Sequence, residues 1–429
     1  MHRAVGRVLA PVERFAQIES ASGILLVVAT AVALLWANSP WSDALERLWA
    51  TEVSVGIGAH TVARSLAWVV NDILMAVFFF VVGMEIRSEM ASGALDSLRK
   101  ATLPLAAAIG GMVVPALIFV AMTHDAPTLG RGWGVPMATD IAFALGVLAL
   151  LGPRVPASLR VTLLAVAVID DLGAIVVIAA FYSDGVELTG LGIAGLGIVA
   201  ILVLQLAGVR LRGVYVVPAL AVWVGAYVGG LHPTIAGVVV GLLTPVTAWF
   251  GRRELVEAVG RNVAAPEPDE PVTPASLREL RQAQREATSP AADLIDALHP
   301  WVAFVIMPLF ALANAGVDLR AVTFDDTTML TVGAIAGGLV IGKPLGVCLG
   351  VALVVRAGVA TLPPQVPARA VLVLGLVAGI GFTMSLFIAT LAFGDAASLD
   401  AARLGVLVAS GVAAVAAWIA GRILLHAPA

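Results

Sequence analysis

Four ionisable side chains lie in the middle of strongly apolar segments of this sequence. Asp170 and Asp171 are neighbours within residues 161–181, and Asp140 and Lys343 are central in two further apolar runs. A charged acid at the centre of a membrane helix costs roughly 2.5–3.5 kcal/mol on the insertion scale. Chains retain such residues where they face a cavity and handle ions or protons. The sequence therefore predicts an ion-handling site at mid-depth in a membrane.

The two neighbouring acids are expected to have different surroundings, because successive residues on a helix point about 100° apart. One of them should face the cavity, and the other should lie at its edge beside another helix. A buried ammonium needs an anionic partner or must lose its proton. The sequence alone leaves open which acid pairs with Lys343. We expect Asp170 to do so and Asp171 to be the water-exposed ligand. A purely structural salt bridge is the alternative role for Lys343, although it leaves three acids against one base.

These residue types suit a small hard cation that competes with protons. Na+ and Li+ prefer oxygen ligands, and Asp170, Asp171 and Thr139 can supply them together with free backbone carbonyls. Removal from water favours the neutral forms of acids and amines, so one site can hold either protons or the metal ion. That competition would by itself produce exchange. Asp140 and Lys343 are assigned to charge compensation and proton coupling, with Asp140 opposite the positive amino ends of interrupted helices.

The composition places the chain among polytopic membrane proteins. Its 429 residues are 60% apolar and 13% charged, with a mean hydropathy of +0.99. A helical span needs about 20 apolar residues, so we predict an all-α protein with one integral-membrane domain over residues 1–429. The single cysteine, Cys348, excludes an intrachain disulfide and a multi-cysteine metal site. No basic stripe indicates nucleic acid, and no cofactor is predicted besides the transported Na+ or Li+ and H+.

About 12 transmembrane helices are predicted from the apolar runs and the breaks between them. They lie near residues 21–38, 67–90, 102–123, 132–151, 157–181, 189–208, 212–230, 233–250, 293–316, 329–355, 366–392 and 399–425. Between the first two, residues 51–65 alternate Val53, Val55 and Ile57 with small or polar residues. This alternation predicts a short β-hairpin at the outer surface.

The distribution of positive residues predicts the orientation. With the amino terminus inside, cytoplasmic segments hold 19 Arg and Lys residues and outer segments hold five, the remaining cation being Lys343 within a span. This bias supports an even number of spans with both termini in the cytoplasm. The one long loop, residues 252–292, then lies on the cytoplasmic side between helices 8 and 9. Ser276 and Glu279 form a capping-box signal for a short charged helix within it, and a solvated connector is favoured over a regulatory domain.

Helices 3–5 and 10–12 are predicted to form an inverted repeat, because seven crossings separate corresponding helices and reverse their direction. Both middle helices are interrupted, the first by Gly134 and Pro136 and the second by Gly379 and Gly381, just before Phe382. Such breaks free backbone groups that a membrane tolerates only beside protein or a cavity. Close packing is the alternative interpretation of any single glycine. Packing is our interpretation of the glycines spaced by four in helix 10: Gly338, Gly342, Gly346 and Gly350.

Three residues nearer the membrane surfaces are candidates for a pH response. Glu85 and Glu89 share a helix face at the inner end of helix 2, where they would form a cation funnel or a pH-responsive cluster. A solvated helix end is an equally good interpretation. His232 begins an outer helix, and its titration range suits a pH response. A hydrogen-bonded turn histidine is the alternative.

The chain resembles the NhaA family of bacterial sodium/proton antiporters over nearly its whole length. The resemblance is carried by short segments that occur together and in order. They are LMAVFF at 74–79, GME at 83–85, PMATDIAF at 136–143, VIDDLGAI at 168–175, HPTIAG at 232–237, HPWV at 299–302, PLF at 308–310, ANAG at 313–316, GKPLG at 342–346 and GIGFTMS at 379–385.

The resemblance implies an electrogenic exchanger of the bacterial inner membrane that admits H+ and expels Na+ or Li+. It also implies a homodimer formed through the 51–65 hairpin and activation at alkaline pH. The family's functional positions correspond to the cation and proton site Asp170 and Asp171, the broken-helix pair Thr139 and Asp140, the intramembrane lysine Lys343, and the pH-linked residues Glu85 and His232.

The sequence departs from the family pattern in three places. Ser88 stands where the second of two basic residues is usual, and Ile295-Asp296 replaces an acidic-histidine pair before His299. The loop at 252–292 is longer and rich in proline. These departures bear on the pH response and leave the transport site intact.

Other functions share some of these features. A cation channel would use most of the same residues and differs in lacking stoichiometric proton exchange. An intramembrane aspartyl protease needs facing acids and a Gly-x-Gly-Asp signal, and the nearest segment, AFGD at 392–395, lacks the first glycine. A retinal-type photoreceptor would use Lys343 as a Schiff base. The twelve predicted spans and the content of only 6% aromatic residues argue against this function. Secondary active exchange is the prediction, the channel is its alternative, and the protease is less favoured.

Overall fold

The computed structural model describes residues 21–57, 60–93, 97–183, 185, 187–209, 211–248, 288–320, 322–363 and 366–425. Within these ranges the chain is a bundle of apolar helices with one two-stranded sheet. Both predicted cytoplasmic termini lie wholly or largely outside the described residues. So does the predicted loop at 252–292, apart from its last few residues.

The helices and strands follow in chain order. In the first half they are α1 (Ala21–Ala37), α2 (Ser42–Ala50), β1 (Glu52–Ile57), β2 (His60–Ser65), α3 (Leu66–Ala91), α4 (Leu98–Thr123), a 3-10 helix (Pro127–Met137), α5 (Ile141–Leu151), α6 (Ala157–Phe181) and α7 (Leu188–Leu206). In the second half they are α8 (Val216–Val228), α9 (Pro233–Leu243), α10 (Pro290–Asn314), α11 (Asp326–Arg356), α12 (Ala368–Ala378), α13 (Phe382–Ala392) and α14 (Ala396–Leu424).

Seven of the described helices are long and apolar enough to cross a membrane, and the number rises to ten if each of three bent pairs is one span. Helices α8 and α9 are apolar but shorter. Each of the twelve predicted segments contains one of these helices or a bent pair. The all-α membrane fold is therefore confirmed, while the total of twelve crossings stays a prediction.

Helix α6, which carries the adjacent acids, is the most buried of the long helices. In its most apolar window 61% of the residues are buried, against 17–44% for the other long helices. A helix covered by protein on most sides can hold charged groups away from lipid. The fold thus places the Asp170–Asp171 pair in the most buried of its long helices.

One helix end and one additional helix differ from prediction, each for a local reason. Helix α9 ends at Leu243 rather than near 250, because Thr244 is extended before Pro245, as the residue preceding a proline prefers. The prediction for this end was wrong.

Helix α2 was missed because Asp43, Glu46 and Arg47 interrupt the apolar run, and α2 buries only Leu45.

Carboxylates outside the membrane define two helix starts. Asp325 accepts a hydrogen bond from the Thr328 amide at 2.7 Å before α11, and Asp395 accepts one from the Ser398 amide at 2.8 Å before α14. These backbone hydrogen bonds hold the pKa of both carboxyls below the usual range. Both helices therefore begin at a charged cap, as helices in water do.

The predicted hairpin is present. Strands β1 and β2 pair antiparallel, with Glu52 opposite Ser65 and Ile57 opposite His60. The exposed guanidinium of Arg64 donates to the hydroxyl of Tyr227 on α8, and it lies over the Trp68 and Tyr227 rings at 5.8 Å from each centroid. The hairpin is thus attached to α3 and α8 by one cationic side chain and two rings.

Candidate ion-binding site

Two spans of the bundle are interrupted, and their interruptions meet. The 3-10 helix and the helix after it bend by 48° across residues 138–140, and α12 and α13 bend by 47° across residues 379–381. The Asp140 amide donates to the Ile380 carbonyl at 2.7 Å, which joins the two breaks directly. Both breaks lie where the glycines and Pro136 predicted them.

Hydroxyl groups tie each interrupted helix to the other. The Thr139 hydroxyl lies 2.9 Å from the Ala378 carbonyl at the end of α12. The Ser385 hydroxyl of α13 donates to the Val135 carbonyl at 2.7 Å, near the end of the 3-10 helix. The Ser385 hydroxyl satisfies a carbonyl that a helix end leaves without an internal partner, and the Thr139 hydroxyl lies beside another such carbonyl. The reciprocal pattern is the one that an inverted repeat would produce.

Asp140 contacts the amino ends of both half-helices. Its Oδ1 accepts from the Phe143 amide of α5 at 3.0 Å, and its Oδ2 accepts from the Thr383 amide of α13 at 3.1 Å. The Thr383 hydroxyl donates to the same Oδ2 atom. A single carboxylate therefore faces two positive helix ends. This geometry fits the predicted charge compensation, and the functional role itself stays a prediction.

Lys343 reaches the breaks from α11. Its Nζ lies 2.7 Å from Asp170 Oδ2 and donates to the Met137 carbonyl, the last of the 3-10 helix. Asp170 Oδ2 also accepts from the Thr139 hydroxyl at 2.7 Å. The structure therefore pairs Lys343 with Asp170, as expected. An ammonium and a hydroxyl thus contact one carboxylate oxygen, and the same ammonium also satisfies a carbonyl at the helix end.

Helix α11 approaches the site by direct backbone contact with α4. A Cβ added at Gly346 would lie 2.0 Å from the Gly110 carbonyl oxygen, and one added at Gly110 would lie 2.1 Å from the Gly346 oxygen. The packing interpretation of the glycine ladder is confirmed at Gly346. Lys343 follows a π-helical stretch, Gly337–Gly342, and such stretches often occur at functional sites. Both features set the depth from which the lysine reaches Asp170.

One oxygen of each neighbouring acid has no hydrogen-bond partner among the described residues. These atoms are Asp170 Oδ1 and Asp171 Oδ1, and both are buried. Asp171 lies within electrostatic range of Asp170, Asp140, Lys343 and Glu85. Buried acceptors without partners are costly, and binding a proton or a cation removes that cost. The pair is therefore suited to exchange one positive species for another.

The expected exposure of Asp171 is wrong in this conformation. Its side chain is 1% exposed, and those of Asp170 and Lys343 are fully buried. Helix α6 is enclosed by its neighbours on most sides, so the site is closed to both membrane faces. A water-reachable pocket would need a second conformation of the protein. Among the described residues no three His, Cys, Asp or Glu side chains form a metal centre.

The predicted pH-response residues lie in two separate places. Glu85 and Glu89 are half-buried on α3; the charge of Glu89 acts on Glu85, and that of Glu85 acts on Asp171. His232 precedes α9, with Nδ1 at 3.9 Å from Asp72 Oδ1 and its ring centroid 6.3 Å from that of Phe387. Glu85 is thus linked electrostatically to the acids, whereas His232 belongs to a contact between α3, α9 and α13.

Sequence reasoning missed several residues that hold the breaks in place. Thr383 and Ser385 lie in the segment GIGFTMS, but they were not assigned a role. Ser410 on α14 accepts a hydrogen bond from the Phe382 amide at 3.1 Å. Thr383 and Ser385 could have been found from the sequence, because each carries a hydroxyl close to a break in an apolar helix. Nothing in the sequence places Ser410 beside residue 382, because 28 residues and a turn separate them.

Comparisons with known proteins agree with this architecture. A family model described as Na+/H+ antiporter 1 matches residues 13–420. The Na(+)/H(+) antiporter NhaA 2 of Myxococcus xanthus is 54% identical, with 99% of this chain and 91% of the relative covered. The Na(+)/H(+) antiporter NhaA 2 of Pseudomonas putida KT2440 is 51% identical, with 95% and 92% covered.

A solved structure has a similar fold. The sodium proton antiporter MjNhaP1 of Methanocaldococcus jannaschii, determined at pH 8, matches with a TM-score of 0.51 over 99% of this chain and 96% of that chain. The sequences are 14% identical, so this likeness concerns the fold alone.

Proposed function

The chain belongs to the Na+/H+ antiporter 1 family, and from that premise we propose that it exchanges cytoplasmic Na+ or Li+ for external H+ at Asp170 and Asp171. It is a bacterial membrane transporter and not an enzyme. The proposal adds that exchange is electrogenic, occurs by alternating access and is regulated by pH. No cofactor is needed beyond the transported ions.

The observation that carries the proposal is the pair of buried, unpartnered oxygens Asp170 Oδ1 and Asp171 Oδ1. They lie beside a lysine that already neutralises one of the acids. The Thr139 hydroxyl contacts the other oxygen of Asp170 and the Ala378 carbonyl, and Lys343 contacts the Met137 carbonyl. A small hard cation prefers such oxygen ligands, and a proton can occupy the same carboxylates.

Proton coupling is assigned to Asp171 together with Lys343. With Lys343 paired to Asp170 and Asp171 protonated, these three side chains carry no net charge. Na+ would bind most strongly when both acids are ionised. Electrogenic exchange means that more than one proton leaves for each Na+ bound, so each cycle moves net charge.

Alternating access follows from the burial of the site. Because both acids are closed off in this conformation, an ion can reach them only if the surrounding helices separate on one face at a time. The crossed breaks form one hydrogen-bonded unit that contains Thr139, Asp140 and Ala378. Movement of this unit with α6 would carry the site between the two faces.

We assign the pH response to Glu85, Glu89 and His232. The Glu85 charge acts directly on Asp171, so protonation of Glu85 would change the affinity of Asp171 for protons and cations. His232 and Asp72 lie at 3.9 Å, where protonation of the imidazole would strengthen their attraction. Each of these contacts joins a residue of α3, Glu85 or Asp72, to a residue elsewhere in the bundle.

Location and assembly complete the proposal. We assign the protein to the bacterial inner membrane with both termini in the cytoplasm, which the distribution of positive residues supports. A second copy of the chain would form a homodimer through the hairpin at 51–65. Support comes from its strands, which pair only with each other in the described part of the chain. Edge strands of this kind can pair with an equivalent strand of a partner.

The decisive experiment measures collapse of an imposed pH gradient in everted vesicles that contain the protein. Addition of NaCl or LiCl should dissipate the gradient, with KCl as the comparison. Collapse should accelerate when the membrane potential produced by exchange is relieved. Vesicles that take up Na+ without stoichiometric proton movement would indicate the channel instead, and vesicles in which neither ion moves would contradict the proposal.

A further inference from the structure

Helix α14 makes a hydrogen bond at the centre of the crossed breaks that no function discussed so far requires. Ser410 lies near its middle, is 2% exposed, and accepts from the Phe382 amide at 3.1 Å. The Phe382 amide is the first of α13. Within a protein-enclosed apolar interior, an amide at a helix start needs a side-chain partner. Ser410 provides one from a helix that has no break.

Two helices share the amino end of α13. Ser410 binds the amide of residue 382, and Asp140 binds the amide of Thr383. Asp140 itself belongs to the opposite break, so it can move with that break. Ser410 belongs to a continuous helix, Ala396–Leu424. Ser410 is therefore the one of these two contacts that belongs to neither break.

A short series of hydrogen bonds leads from Ser410 to the acids. Two residues before Phe382, the Ile380 carbonyl accepts a hydrogen bond from the Asp140 amide at 2.7 Å. The Ala378 carbonyl lies 2.9 Å from the Thr139 hydroxyl, which lies 2.7 Å from Asp170 Oδ2. The position of residues 378–382 thus fixes where the Thr139 oxygen stands relative to Asp170. A shift of the α13 amino end would displace a proposed cation ligand.

We propose that Ser410 is a positioning residue for the cation site, acting through the Phe382 amide on Thr139 and Asp170. This inference rests on the proposed function, and it adds a residue on α14 that touches neither ion nor carboxylate. Loss of its hydroxyl should weaken Na+ binding more than it slows turnover, because the site is loosened while every ligand remains. One buried hydrogen bond corresponds to about a fivefold change in affinity.

The test compares three variants in the vesicle assay across a range of Na+ concentrations and pH. Ser410→Ala should raise the Na+ concentration for half-maximal collapse about fivefold, leave the maximal rate near that of the unchanged chain and shift the pH profile. Ser410→Thr, which keeps a hydroxyl, should restore both. Thr390→Val is the matched control, since among the described residues the Thr390 hydroxyl bonds only within α13, to the Phe387 carbonyl at 2.7 Å.

A second readout does not depend on transport. Hydrogen exchange of the peptide containing residues 379–385 should be faster in Ser410→Ala than in Thr390→Val, in detergent and without added Na+. Unaltered exchange in that peptide overturns the inference, even if the chain proves not to transport Na+. Unaltered Na+ and pH dependence in an active Ser410→Ala protein also overturns it. So does a loss of maximal rate and melting temperature alone, which would indicate a merely structural serine.

Discussion

Lys343 Nζ lies 2.7 Å from Asp170 Oδ2, and neither side chain has any exposed surface. The lysine is thus the counter-charge of one acid only, while Asp171, the next residue on the same helix, keeps an oxygen without a partner. Two adjacent carboxylates therefore have different electrostatic environments. This difference allows one to serve as a paired, structurally required charge and the other as a titrating ligand.

Replacing Lys343 should destabilise the protein through Asp170. In Lys343→Ala an ionised Asp170 would remain buried without its partner, which costs about 3–5 kcal/mol, and the melting temperature in detergent should fall accordingly. The double variant Lys343→Ala with Asp170→Asn removes both charges and should recover most of that loss. Equal melting temperatures for the single and double variants would mean that the pair contributes no such coupling.

Replacing Asp171 should abolish exchange without loss of stability. Asp171→Asn replaces a buried carboxyl group that lacks a full set of hydrogen-bond partners, so thermal stability should be unchanged or higher. Na+-dependent proton movement in vesicles should disappear. Asp125→Asn is the control, because that carboxylate is exposed just beyond the carboxyl end of α4, and it should transport normally. Normal exchange by Asp171→Asn would mean that the site has been placed wrongly.

Asp140 should matter more for stability than a single helix cap does. Asp140→Ala removes acceptors from the amino ends of α5 and α13 together, and each cap is worth about 1 kcal/mol. Asp140→Asn retains one acceptor oxygen and should lose less. Thr383→Val, which removes one hydroxyl donor to Asp140, should have the smallest effect. Melting temperatures that do not follow this order would argue against the double cap.

Close packing of α11 on α4 should be needed to place Lys343. Gly346→Ala would bring a Cβ to 2.0 Å from the Gly110 carbonyl oxygen, and backbone cannot yield as a flexible side chain can. Stability should fall by about 1–3 kcal/mol, and transport should fall with it. Gly333→Ala lies on the same helix, where the nearest atom is 3.6 Å away, and should be tolerated. Similar stability of both variants would contradict this account.

The hairpin should determine oligomeric state without determining transport. Replacing residues 52–65 by a flexible linker should convert the homodimer to a monomer, as measured by light scattering in a mild detergent. Exchange in vesicles should persist because no hairpin residue contacts the acids in the described structure. A dimer that survives this change would place the interface elsewhere on the chain.

The sequence indicated the membrane class, the segments that span and the four charged residues, because each depends on local composition. Charged residues within long apolar runs have few explanations other than function. The glycines and Pro136 located both breaks, since these residues disturb a helix wherever they occur. The break positions were therefore predictable even though their contact was not.

Features that depend on packing could not be read in the same way. The extent of α9 depended on Pro245, which the apolar run concealed, and the amphipathic helix α2 lacked the length of a span. The burial of Asp171 depends on how neighbouring helices close around α6. Hydropathy does not indicate in which conformation a cavity is closed, so the prediction that Asp171 is exposed was wrong.

By itself the sequence determined that a membrane-embedded bundle carries three acids and one lysine at depth, because hydrocarbon makes such residues too costly to occur without cause. Only the tertiary structure decided that Lys343 pairs with Asp170, that Asp140 faces two helix ends, and that Ser410 contacts the helix start after the break at residues 379–381. Those relations join residues that are tens to hundreds of positions apart. Their distances follow from helix packing, which no local pattern of residue types encodes.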